Sequence, residues 1–104
     1  MKTKILWTER ARRDLLGIGD HIARDKPEAA AKWTYKLLNA VERTAMFPTS
    51  GRIVPEIDRS DIREVIHGNY RIVYHIKELT ITVLTIFECH QLIDESLAER
   101  TDSE

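Results

Sequence analysis

Hydrophobic residues recur every three or four positions in two consecutive stretches of the chain. The stripe of the first stretch consists of Ala11, Leu15, Ile18 and Ile22. The stripe of the second consists of Ala30, Trp33, Leu37, Val41 and Thr44. This spacing predicts two amphipathic helices. Thr8 can cap the first helix, and Asp25 and Pro27 mark the start of the second, so we expect two antiparallel helices joined by a tight connection.

After Gly51 the hydrophobic period changes from that of a helix to that of a strand. Three strands joined by hairpins are predicted at residues 62–67, 70–77 and 80–87. A short apolar run at residues 4–7 predicts another strand ahead of the helices. Pro55 lies in an irregular approach, because proline cannot donate a hydrogen bond within a central strand. The order βααβββ indicates an α+β fold, with a helical hairpin packed on one face of a small, mainly antiparallel sheet.

Two registers are possible for the hairpin of residues 62–77. A two-residue loop would pair His67 with Tyr70, whereas a three-residue loop would pair Ile66 with Tyr70. We prefer the three-residue loop, because it places Ile62 and Ile66 on the same face as the apolar residues of the next strand. The opposite face would then carry Arg63, Val65, His67, Arg71, Val73, His75 and Lys77, beside Thr82, Leu84 and Ile86.

On this predicted face, Arg63 and Arg71 lie diagonally across two strands, within reach of one anion or carboxylate. Both arginines are expected to be exposed, so truncating either one would lower the free energy of unfolding by only about 0.5 kcal/mol. An alternative is that they pair with nearby acids such as Glu64 or Glu88 and only keep an exposed sheet soluble.

Composition limits the class of protein. With 104 residues, 42% of them hydrophobic, the chain can bury one core. Cys89 is the only cysteine, no apolar run approaches the length of a membrane span, and no signal peptide is recognisable, so a cytoplasmic protein is expected. The four histidines lack partners at metal-ligand spacing, and there is no glycine-rich phosphate loop, so we expect neither a metal nor a cofactor.

Charge is distributed unevenly along the chain. Residues 1–87 hold 15 Lys and Arg against 11 Asp and Glu, whereas residues 88–104 hold one Arg against six acids. The body is therefore mildly basic and the end acidic. We predict a single domain over residues 1–93, followed by an acidic tail over residues 94–104.

The ordered set of motifs resembles the ParE/RelE superfamily, the toxin half of bacterial toxin-antitoxin pairs. The segments that carry the resemblance are Trp7-Thr8, Ala11 with Asp14-Leu15, Ile22-Ala23, Asp25 with Pro27 and Ala29-Ala30, Val54-Pro55-Glu56, Ile62-Arg63-Glu64-Val65 and Gly68-Asn69-Tyr70-Arg71-Ile72-Val73-Tyr74. In this alignment, the arginine of the family's Tyr-Arg-x-x-Tyr segment falls on Arg71, and a basic residue of the preceding strand falls on Arg63.

RelE-like members of the superfamily are ribosome-dependent messenger-RNA endonucleases that bind the scissile phosphate with basic residues of the sheet. If the chain were RelE-like, the resemblance would make Arg71, Arg63 and His90 catalytic. Two departures oppose an enzyme. Val65 matches a basic position of the first hairpin strand, and the segment from Glu88 to Gln91 offers only His90 for proton transfer.

ParE-like members bind DNA gyrase and have no known hydrolytic chemistry. The segments Val54-Pro55-Glu56 and Ile62-Arg63-Glu64 resemble that branch more closely. We therefore expect first a gyrase inhibitor neutralised by a cognate antitoxin, second a ribosome-dependent endoribonuclease, and third a non-toxic protein-binding module. The residues expected to contact a target or partner are Arg63, Arg71, His75, Leu84, Ile86, Leu16 and Leu38. A homodimer through the same patch is the alternative occupant of that surface.

Overall fold

The computed structural model describes residues 3–89. Its elements are β1 (Lys4–Trp7), α1 (Glu9–Asp25), α2 (Pro27–Met46), a 3₁₀ turn (Pro48–Ser50), β2 (Arg52–Ile53), β3 (Ile62–His67), β4 (Tyr70–Lys77) and β5 (Thr80–Glu88). The predicted order of helices and strands is confirmed, with the short strand β2 as an addition. His90 and the predicted boundary between residues 93 and 94 lie outside the described residues.

The five strands form one sheet in the order β1-β5-β4-β3-β2. Only β1 and β5 run parallel, and the other neighbours are antiparallel. The helices pack on one face of the sheet and form the main core, whose buried members are Ala11, Leu37, Ala40, Val41, Ala45, Ile72, Tyr74, Ile81, Val83 and Ile86. The fold is therefore α+β, as the pattern predicts.

Helix α1 is attached to β5 by its own polar side chains. The Thr8 hydroxyl accepts a hydrogen bond from the amide of Ala11 and thereby caps the helix, and it donates to the carbonyl oxygen of Leu84. One turn later, the Asp14 carboxylate accepts from the Thr85 hydroxyl at 2.6 Å and from the Ile86 amide at 3.1 Å. Strand β1 pairs only with residues 80–83 of β5, so Asp14 satisfies an amide of β5 that lies beyond the end of β1.

The predicted three-residue loop between β3 and β4 is wrong. His67 pairs with Tyr70 across the two-residue turn Gly68-Asn69. Gly68 has φ of 60° at the first central position, as a type II′ turn requires, and its Cα faces the Trp33 ring so closely that a Cβ would lie 2.7 Å from it. Because side chains alternate along a strand, this register turns Arg63 and Val65 toward the helices and places Glu64 on the opposite face, with Arg71.

The sheet face opposite the helices is covered as well. Residues 54–61, here called the covering loop, cross it between β2 and β3. Val54 and Ile57 of this loop pack against Ile62, Val73 and Leu84 in a second apolar cluster. The sheet face that the sequence predicted to be open is thus largely closed. Neither of the two helices in residues 3–89 has the length and hydrophobicity that a membrane span needs.

Candidate functional site

Arg71, one of the arginines predicted to lie on an open face of the sheet, is buried. Only 6% of it is exposed, and its guanidinium is fully engaged. The Nε donates to Glu64 at 2.6 Å and Nη2 donates to the same carboxylate at 2.9 Å. Two further bonds of 3.0 and 3.1 Å run to the carboxylate of Glu56 in the covering loop. The predicted exposure of Arg71 is therefore wrong.

Glu64 is the centre of this charged cluster. Its side chain has no exposed surface, and it accepts from Arg52 at 3.0 Å in addition to Arg71. Two arginines thus face two glutamates, so the formal charges of the cluster cancel. Hydrogen bonds to Glu56 and then to Glu64 raise the pKa of Arg71 above its ordinary value, in spite of burial. A phosphate could reach Arg71 only by displacing a carboxylate.

Arg63 lies on the other side of the sheet and has a different task. Its Nε donates to the carbonyl oxygen of Ser60, and Nη1 donates to those of Thr49 and Gly51. The side chain therefore ties the start of β3 to the turn ahead of β2. Because Arg63 and Arg71 belong to opposite faces, the prediction that they share one anion is wrong.

His75 is paired with the covering loop. Its Nε2 lies 3.0 Å from Oδ2 of Asp61. The Arg59 guanidinium donates one hydrogen bond to each oxygen of the same carboxylate. The bond from Arg59, followed by the one from His75, lowers the pKa of Asp61 below its ordinary value, although burial opposes this. His75 is therefore not displayed on an open sheet, as the predicted register required.

The predicted apolar partner residues divide into two groups. Leu84 and Ile86 are only 4% and 2% exposed, so the expectation that they lie on an open face of the sheet is wrong. Leu84 lies under the covering loop, and Ile86 belongs to the main core. Leu16 and Leu38, in contrast, are 67% and 39% exposed on the helices, as a partner surface requires.

Acidic side chains border Arg71 on its face of the sheet. On the face of Arg71, the neighbouring strand presents the carboxylate of Glu64 where a phosphate would need a cation. No group of three or more potential metal ligands occurs in the described part of the chain. Pairing of the arginines with Glu64 was the alternative interpretation of the sequence, and it is confirmed for Arg71, whereas the part played by Glu56 was missed. The available signal for the cluster was Glu64 itself, which the two-residue register places beside Arg71.

Comparison with known proteins identifies the family. The sequence profile described as "ParE toxin of type II toxin-antitoxin system, parDE" matches residues 5–93. Y4kP of Sinorhizobium fredii, named as a candidate toxin, is 37% identical over 86% of this chain and 92% of its own length. Toxin RelE2 of Caulobacter vibrioides is 30% identical over 80% of this chain and 91% of its own length.

A solved structure titled as the chromosomal ParDE toxin-antitoxin system of P. aeruginosa has a similar fold. It superposes with a TM-score of 0.70 at 22% identity and covers 84% of this chain and 96% of that one. That likeness agrees with two helices on a five-stranded sheet. The profile match and the two relatives extend over most of the sequence, and the chain belongs to the family of ParE toxins of type II toxin-antitoxin systems.

Proposed function

We propose that the protein is a cytoplasmic toxin that inhibits DNA gyrase by binding it, and that a cognate antitoxin neutralises it. The charged cluster around Glu64 is the observation that favours gyrase inhibition over RNA cleavage. Arg71, one of the two sheet arginines that the resemblance would make catalytic, is buried between two carboxylates. A toxin that acts by binding does not need this arginine to be free.

The energetics support a non-hydrolytic toxin. RNA cleavage needs cations aimed at the charge that develops on the phosphate, and these must be in place before the reaction. Here the Arg71 charge is neutralised by Glu56 and Glu64, and removing one partner of a buried pair costs about 3 kcal/mol. Glu64, left in place, would also repel the substrate phosphate.

An endoribonuclease is the second candidate, because one relative at 30% identity is named RelE2. The family profile and the structure from P. aeruginosa carry ParE in their names, whereas Y4kP is named for neither branch. The solved structure of a ParDE toxin-antitoxin system also supports an antitoxin as partner. The outer surface of the helical hairpin, with Leu16, Tyr35 and Leu38 exposed, is where we place the antitoxin contact.

The first test is growth arrest. Induced expression of the chain alone is expected to stop bacterial growth, and coexpression of the protein encoded by the adjacent reading frame is expected to restore it. Undisturbed growth in the presence of folded, soluble chain would contradict the proposal and favour the non-toxic binding module.

The second test separates the two targets. Purified protein is expected to inhibit supercoiling by gyrase, or to stabilise cleaved DNA complexes, and to leave messenger RNA on translating ribosomes intact. Primer extension on translated messages measures the second point. Cuts at defined codon positions, with gyrase unaffected, would reverse the order of the two candidates.

A further inference from the structure

A groove separates the C-terminal half of α2 from the outer strands of the sheet. Its volume is about 480 Å³. It is lined by Ala40, Arg43, Thr44 and Phe47 from the helical side, by Ser50, Gly51 and Arg52 from the approach to β2, and by Glu64, Val65 and Ile66 of β3. Phe47 and Ile66 are 67% and 51% exposed. The groove is therefore open and largely apolar, and it lies on the far side of the molecule from β1 and β5.

The strand that borders the groove has a free edge. Strand β2 pairs with Arg63 and Glu64, and the Val54 amide bonds to the carbonyl oxygen of Ile62. Residues 65–67 of β3 have no strand on their outer side among the described residues. His67 and Tyr70 flank the two-residue turn and bond to each other, and bonding alternates along an antiparallel pair. The amide and carbonyl of Ile66 consequently point outward, toward the groove.

Two cations border the apolar surface. Arg43 is exposed, and among residues 3–89 no acidic side chain pairs with it. The side chain of Arg52 is 58% exposed, even though it bonds to Glu64. Cations flanking an apolar groove favour acidic side chains over basic ones, and a free strand edge favours an extended chain over a helix.

We propose that this groove binds an extended segment of a partner protein in which apolar and acidic residues alternate. The segment adds as a strand beside Ile66, its apolar side chains enter the groove, and its acids meet Arg43 and Arg52. The inference rests on the proposed function only in that the source of the segment is the antitoxin. A second copy of the chain and the acidic residues 94–104 are competing occupants, which the test distinguishes.

The probe is a short synthetic peptide that alternates valine and glutamate, added to the isotope-labelled full chain and followed by NMR. We expect amide shifts at Val65, Ile66 and His67 and slower hydrogen exchange at Ile66. Replacing Arg43 by Glu (Arg43→Glu) should weaken binding about tenfold, whereas the matched change Arg12→Glu on exposed α1 should leave it unchanged. A peptide that alternates valine and lysine should not bind.

Three results would overturn the inference. One is the absence of shifts, or shifts confined to the helical hairpin. Another is equal binding of the lysine peptide. The third is an Ile66 amide that is already protected from hydrogen exchange without peptide. Loss of this protection on dilution would show that a second copy covers the edge. Loss on deletion of residues 94–104 would show that the tail covers it. If the peptide does not bind but the adjacent protein still restores growth, the groove is not the binding site and the proposed function is unaffected.

Discussion

Glu64 forms ion pairs with two arginines, one in β4 and one in β2. Its buried carboxylate holds Arg71 on one side and Arg52 on the other, and Glu56 completes the set. Desolvating such a group is unfavourable, so its presence is tolerated only because every partner remains in place. No buried polar side-chain atom of the described residues lacks a hydrogen-bond partner. The cluster therefore fixes the covering loop on the sheet, and its members cannot be exchanged singly.

Truncating the Arg71 side chain should make the protein less stable. We expect Arg71→Ala to lower the free energy of unfolding by about 3 kcal/mol, because it leaves Glu64 with half of its compensation. The control Arg43→Ala, an exposed arginine without an acidic partner among the described residues, should change it by less than about 0.5 kcal/mol. Chemical denaturation measures both. Equal stabilities of the two variants would mean that the cluster contributes nothing.

Asp61 should make the stability depend on pH in the acidic range. The pKa of Asp61 in the folded protein is lowered below its ordinary value, mainly by the hydrogen bond from Arg59. The stabilisation is therefore complete above the unfolded pKa and is lost as pH falls through the folded value. We expect wild type to lose more stability than Asp61→Asn between about pH 6 and about pH 3. Parallel stability curves for the two proteins would contradict this assignment.

Local pattern was sufficient to predict the elements, because periodicity and capping residues such as Thr8 act over a few positions. The register of the β3–β4 hairpin was different. Both loop lengths fit the strand pattern, although Gly68-Asn69 is a sequence that suits a two-residue type II′ turn. The packing of Trp33 of α2 against Gly68 in the folded state is a tertiary contact that the strand pattern does not contain. The covering loop has no period at all. Its contacts from Glu56 to Arg71 and from Val54 to Leu84 are tertiary, and for that reason the candidate site was predicted less well than the fold.

The turn at Gly68 offers a test at the level of one hairpin. Gly68→Ala should lower the free energy of unfolding by about 1 to 2 kcal/mol, because the residue has φ of 60° and a Cβ would meet the Trp33 ring. Gly17→Ala is the control. That glycine lies within α1 with no heavy atom within 4 Å of an added Cβ, so alanine should stabilise by about 0.5 to 1 kcal/mol. Thermal melting should give opposite signs, and a stabilised Gly68→Ala would show that the turn is assigned incorrectly.

The molecule as a whole uses both faces of its sheet for packing, the helices on one and the covering loop on the other. Surface for partners therefore remains on the outside of the helical hairpin and at the β3 edge. Of the apolar residues predicted to contact a partner, Leu16 and Leu38 lie on the outside of the helical hairpin, whereas Leu84 and Ile86 are buried. A partner that neutralises the protein must reach these outer surfaces.

Acidic substitutions on the outside of the helical hairpin should block neutralisation by the antitoxin without affecting folding. We expect the double change Leu16→Glu and Leu38→Glu to alter the free energy of unfolding by less than about 1 kcal/mol, because both side chains are exposed. Growth arrest should persist, but coexpression of the adjacent protein should no longer relieve it. Lys32→Glu, another exposed change on α2, serves as control and should still be rescued. Normal rescue of the double variant would move the antitoxin contact elsewhere.

The parallel pairing of β1 with β5 has a consequence for the gene. Residues 4–7 find their partners at residues 80–83, and the core also needs Ile86. Translation must therefore pass almost all of the described sequence before the first strand can join the sheet. A reading frame interrupted by a stop or frameshift before codon 80 is expected to yield a fragment that cannot close its core. Bacteria escaping a toxic chain of this design would thus have nearly the whole frame as a target for inactivating mutations.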